Sequence, residues 1–275
     1  MSRLAGLFAT LKEQRRKALI PYVVAGDPSP SGTVRLLHRL VAAGADVLEI
    51  GVPFSDPMSE GLVIQLGHER ALANGMTLRG VLDVVSEFRR DNTDTPVVMM
   101  GYTNPIERFG YSEFAKASAA AGVDGLITVD LPPEEVGRLD EALLQVAIDN
   151  IFLISPTTSD ERIKTIVAPA RGFIYCVAVK GVTGSGQLNV EEVAERVSVI
   201  RNLTDLPVAV GFGIKDADSA KRVAQVADAV VVGSALIDEM VRCSQAHAEL
   251  EEIQIHEAAV QLMERIRAGV DSSHS

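Results

Sequence analysis

The sequence has no tryptophan, two cysteines and only 4% aromatic residues among 275. Cys176 and Cys243 each stand without a CxxC partner, which excludes a disulfide framework and suits a reducing cytoplasm. His38, His68, His247, His256 and His274 show no ligand spacing and read as surface or helix-flank residues, so no metal site is expected. No apolar run approaches the roughly 18 residues that cross a bilayer, and no membrane role is expected. Positive charge is scarce: 26 Lys and Arg face 37 Asp and Glu, a formal net charge of -11. That balance excludes a nucleic-acid binder, whose affinity rests on neutralising phosphates, and leaves room only for a local pocket taking a small phosphate ester. A Gly/Pro/Ser-rich linker is also missing.

What is present is a large apolar fraction, 47%, enough to fold most of the chain around one core. Leu4, Leu7, Phe8 and Leu11 recur at helical spacing ahead of Arg15, Arg16 and Lys17. A signal peptide has its charges first, so this stretch reads as a short amphipathic helix. Eight short β-branched runs follow: 19–25, 47–52, 96–101, 125–130, 151–155, 173–178, 207–211 and 229–233. They are nearly continuous in apolar residues, as strands covered on both faces are, which points to a parallel sheet. Helical patterns separate them. Ser31 precedes one, Pro132-Pro133-Glu134-Glu135 sits at the first turn of another, and the last carries Leu250, Ile253, Leu262, Met263 and Ile266. Eight βα units in about 250 residues predict a single-domain (β/α)₈ barrel over 1–268, with a doubly wound open sheet as the competitor. Residues 269–275 are polar and predict a frayed tail.

In such a barrel the site forms where the strands end. Glu49 is a carboxylate inside an apolar strand, and burial would raise its pKa into the range of a general acid/base. The other reading is a structural ion pair, although no cation lies nearby in sequence. Glu60, eleven residues on, could share acid and base work with it, or could be an ordinary solvated loop residue. Glycines mark three later strand ends: 181, 184 and 186 after the sixth, 211 and 213 after the seventh, and Gly233 before Ser234 after the eighth. Each alone is consistent with a tight turn; together, with a short helix expected over Ala235 to Val241, they point to a phosphate cradle. The loop after the sixth run also reads as a lid.

The runs LEIGVPFSDP (48–57), GYTNPIERFG (101–110), TVDLPPEE (128–135), SPTTSDERI (155–163), KGVTG (180–184) and VGFGI (210–214) resemble the α subunit of tryptophan synthase, and the likeness extends along nearly the whole chain. The resemblance implies a TIM-barrel lyase that cleaves indole-3-glycerol phosphate to indole and glyceraldehyde 3-phosphate in tryptophan biosynthesis. It implies Glu49 and Glu60 as the catalytic carboxylates and Tyr22, Met100, Ile127, Leu153, Tyr175, Thr183 and Phe212 around the substrate. The phosphate would lie at Gly184, Gly213, Gly233 and Ser234. For the apolar positions, plain barrel core is an equal reading. It further implies an αββα complex with a tryptophan synthase β subunit, touched through Pro53, Asp56, Asn104, Pro105 and Pro132. Pyridoxal phosphate is expected only in that β partner, with no cofactor here.

The sequence also departs from the family. Ser59-Glu60-Gly61-Leu62 stands where an -ADGP- segment is usual, Tyr22 where phenylalanine is usual, and Val24 where threonine is common. These changes gather at the indole end. They leave two other readings open: a regulatory subunit that binds the phosphate ligand with impaired chemistry, and a free-standing lyase that releases indole. A sugar-phosphate isomerase barrel is a more distant alternative.

Overall fold

The computed structural model of the protein describes residues 2–178, 190–211, 213–246 and 251–274. All eight apolar runs are strands: β1 (Ala18–Val24), β2 (Leu48–Gly51), β3 (Val97–Gly101), β4 (Gly125–Thr128), β5 (Asp149–Ile154), β6 (Ile174–Val177), β7 (Val208–Gly211) and β8 (Ala229–Val232). Each pairs in parallel with the next, and β8 closes on β1, so the open sheet is excluded. The helices are α1 (Arg3–Glu13), α2 (Pro30–Ala42), α3 (Leu62–Ala73), α4 (Leu78–Asp91), α5 (Thr103–Phe109) and α6 (Tyr111–Ala121) in the first half. In the second half they are α7 (Gly137–Gln145), α8 (Asp160–Val167), α9 (Val190–Arg201), α10 (Ala217–Ala224), α11 (Ser234–Ala246) and α12 (Glu252–Asp271).

Strand alternation divides the core in two. One set of side chains packs outward under the helices, among them Leu48, Ile50, Val97 and Met99. The other fills the barrel: Ala18 and Ile20, Val47, Val98, Ile127, Ile151, Phe173, Ala209, Ala229 and Val231. Leu4, Phe8 and Leu11 of α1, spaced to share one face, join that inner set, and the Phe8 ring lies 5.9 Å from that of Phe173. Burying three such side chains stabilises the fold by about 1.5–3 kcal/mol each. The N-terminal end of the barrel is thereby closed, and the lumen opens only where the strands end.

Four details differ from the sequence reading. Helix α2 starts earlier than Ser31: the extended Ser29 accepts the Gly32 N–H at 3.1 Å and Pro30 supplies the first helical φ. Pro132-Pro133-Glu134-Glu135 is a turn ahead of α7, closed by Glu135 N–H on the Pro132 carbonyl. The cause is steric, since a residue before proline avoids the helical region. The helix after β8 is not short; α11 runs 13 residues because Leu236, Ile237 and Met240 give it a buried face. The expected frayed tail is also corrected. Helix α12 continues to Asp271 and Ser272–His274 forms a 3₁₀ turn. Val270 is buried, and Gly269 lies against the Ala217 backbone where a Cβ could not fit.

Candidate active site

Tyr22, Glu49, Met100, Ile127, Leu153 and Tyr175 continue the inner alternation toward the open end of the barrel. Tyr22 pairs in register with Glu49, Met100 with Ile127, and Leu153 with Tyr175. These positions therefore form one girdle. Space for it comes from glycine. A Cβ on Gly51 or on Gly211 would collide with the hydroxyl of Tyr22 or of Tyr175, and one on Gly233 would press the Tyr22 ring.

Glu49 is 1% exposed, and neither carboxylate oxygen has a hydrogen-bond partner among the described residues. Burial, aided by the nearby Glu60, raises its pKa from the ordinary 4.5 to about 8. Glu49 thus has no ion pair among the described residues, and at neutral pH the group is mainly a protonated acid. Burial also holds the hydroxyls of Tyr22 and Tyr175 well above the usual phenol range.

Glu60 belongs to the loop between β2 and α3, yet it is 8% exposed, so the solvated-loop reading does not hold. Its N–H closes a turn on the Pro57 carbonyl, and Gln65 Nε2 donates to its own carbonyl at 2.8 Å. The carboxylate accepts a short hydrogen bond from the Tyr102 hydroxyl. Burial raises the Glu60 pKa while that hydrogen bond pulls it back. Tyr102 Oη in turn accepts the Ser59 N–H at 3.2 Å, and its ring stacks on Phe54 at 4.9 Å. One tyrosine therefore holds both backbone and side chain of the loop. It lies in the run 101–110, and β3 alternation through Val98 and Met100 would have marked it as inward.

His68 is the second functional residue that the sequence reading missed. It is buried on α3, where its Nδ1 accepts the Phe54 N–H at 3.0 Å and its Nε2 lies 3.2 Å from Tyr22 Oη. Burial lowers its pKa to about 4, so the ring is neutral. Its signal was spacing: 64, 68 and 71 share the face of α3 that turns inward.

Where β7 and β8 end, Gly213 has φ +79°, a conformation natural to glycine, and Gly233 with the exposed Ser234 opens α11. Thr183, Gly184 and Phe212, with the expected lid, lie outside the described residues. Of the expected partner contacts, Asp56 and Asn104 are exposed and Pro105 and Pro132 half-buried; Asp56 and Pro132 lie on loops, Asn104 and Pro105 in the first turn of α5. Pro53 is buried by its own chain. The same rim carries Met58, 83% exposed, Leu62, 70%, and Leu66, 42%.

The family model described as "Tryptophan synthase alpha chain" matches residues 8–267. A tryptophan synthase alpha chain of Marinobacter nauticus is 52% identical over 272 residues, 99% of each chain. One from Thioalkalivibrio sulfidiphilus is 57% identical over 245 residues, covering 89% of this chain and 92% of that one. Among solved structures, tryptophan synthase subunit alpha from Legionella pneumophila superposes with a TM-score of 0.91 at 43% identity, 99% of each chain covered. A chain of the aminoacrylate-bound tryptophan synthase of M. tuberculosis gives 0.86 at 33%, covering 98% and 100%.

Proposed function

The chain belongs to the tryptophan synthase alpha chain family, and from that premise we propose that it cleaves indole-3-glycerol phosphate with Glu49 carrying both proton transfers. The observation that carries this reading is the Glu49 carboxyl, buried, unpartnered among the described residues and with its pKa lifted to about 8 at the open end of the lumen. Protonated at neutral pH, it gives its proton to indole C3. The ring nitrogen becomes cationic, and the Glu60 carboxylate, held by Tyr102, faces that N–H and offsets the charge. Glu49, now a carboxylate, takes the proton of the side-chain hydroxyl next to the bond that breaks. That hydroxyl carbon becomes the aldehyde of glyceraldehyde 3-phosphate, and the pair of the broken C–C bond returns to the indole ring. Glu49 ends protonated, as it began. No cofactor enters these steps; pyridoxal phosphate chemistry is assigned to the β subunit.

Met100, Ile127, Leu153 and Tyr175 line the substrate in this reading. Gly213, Gly233 and Ser234, with Gly184, take the phosphate at the N-terminus of α11, where open N–H groups and the helix dipole favour an anion. The lyase works in the cytoplasm as part of an αββα assembly. Support for the partner comes from Met58, Leu62 and Leu66, three large apolar side chains exposed on the loop and helix that follow β2, beside Asp56. The test is indole release from indole-3-glycerol phosphate by the chain alone and with a tryptophan synthase β subunit. Slow release alone that rises at least tenfold with the partner is expected. No release in either condition would overturn the reading.

A further inference from the structure

Tyr22 and His68 form a buried polar pair that the reaction above does not use. The Phe54 N–H can only donate, so the His68 Nδ1 it meets at 3.0 Å carries no proton. A neutral imidazole has one N–H, which therefore sits on Nε2 and donates to Tyr22 Oη at 3.2 Å. Tyr22 is thereby an acceptor toward His68, and its own O–H has no acceptor among the described residues. The two groups are rigidly held. Arg70 makes a two-pronged ion pair with Asp27, at 2.7 and 2.8 Å, that ties α3 to the end of β1. Gly51 gives the hydroxyl its place in the lumen, two residues beyond Glu49 on the same face of β2. A donor without an acceptor and two carboxylate oxygens without a partner thus sit on register-paired residues of β1 and β2, close enough for Glu49 to act on the Tyr22 hydroxyl.

Resting on the reading of this lumen as the indole site, we propose that His68 fixes Tyr22 as a hydrogen-bond donor to the charged form of Glu49. Tyr22 is a positioning residue in this account: it acts through Glu49 at the moment the carboxylate exists, between the two proton transfers. An unmet buried donor is costly, a cost that the transient carboxylate offsets. The other ionisable groups facing Glu49 are Glu60 with its partner Tyr102, and Tyr175 from β6. Glu60 opposes the charged form of Glu49 by repulsion and also acts on the Tyr22 hydroxyl, and Tyr175, on which the Glu49 charge acts as well, is the competing donor. His68 also couples the device to the loop, because its proton location is set by the backbone of Phe54.

Two spectra of the full-length chain without substrate test this. A long-range ¹H–¹⁵N spectrum reads the His68 tautomer, and a ¹³C titration of the glutamate carboxyls reads Glu49 in the wild type, Tyr22→Phe, His68→Phe, His68→Gln and Tyr175→Phe. We expect the Nε2–H tautomer at neutral pH. We expect Tyr22→Phe to move the Glu49 titration up by about one pH unit, since the charged form loses its donor. His68→Phe should shift it in the same direction, and His68→Gln, which keeps an N–H toward Tyr22, should restore it. An Nδ1–H tautomer, or a Glu49 titration that moves in Tyr175→Phe and not in Tyr22→Phe, would overturn the proposal. Neither readout needs turnover, so failure of the cleavage reading is separately visible.

Discussion

Deprotonating Glu49 in the folded chain places a charge where neither oxygen has a partner among the described residues, whereas the unfolded chain exposes the same charge to water. The folded pKa lies near 8 and the ordinary value is 4.5. Between these two values the folded state holds a proton that the unfolded state has lost. The contribution of Glu49 to stability is therefore full below about pH 4.5, declines as pH rises to about 8, and is flat beyond. Glu49→Gln keeps the neutral shape and removes the decline. Urea unfolding at pH 5, 7 and 9 should find the variant more stable than the wild type by on the order of 4 kcal/mol at pH 9, with little difference at the lowest pH. A gap that does not grow with pH would contradict the burial argument. Glu49 was legible in the sequence because a carboxylate inside an apolar run is costly to bury and so points to a chemical role. Tyr102 and His68 were fainter: strand alternation and helix spacing place each on a face, and that face gains meaning only once the barrel turns it inward.

The loop from Pro53 to Gly61 and helix α3 carry Glu60 and Leu62, and the fold holds both locally. The Glu60 carboxylate is held by Tyr102, and Leu62 takes the first position of α3 after Gly61, whose side-chain-free N-cap is extended at φ -73°, ψ 163°. That position suits proline on both sides: its φ is already helical, and the residue before it is already extended. Leu62→Pro should raise the thermal midpoint by about 2 °C through a less flexible unfolded chain, read by calorimetry. A fall in the midpoint would mean that the exposed leucine is needed where it stands. Helix starts were less legible than strands. Ser29 and Ser31 are both plausible caps in sequence, and only Pro30 between them decides. The tail was misread because its polar composition hid Val270 and Gly269, the two residues that dock it.

For the whole molecule, α1 stops one end of the barrel and the strand ends gather every charged group of the mechanism at the other. Glu49 and Glu60 stand on the β1–β3 side of the mouth, while Gly213, Gly233 and Ser234 stand where β7 and β8 end. The account stands or falls on Glu49. The most direct measurement is kcat/KM for indole release from pH 7 to 10, for the wild type and Glu49→Gln. Because the protonated carboxyl starts the reaction in the free enzyme, the wild-type value should fall as pH rises through about 8, approaching tenfold per pH unit, and the variant should release no indole above background. A wild-type profile that rises through that range, or sustained turnover by the variant, would contradict Glu49 as the acid.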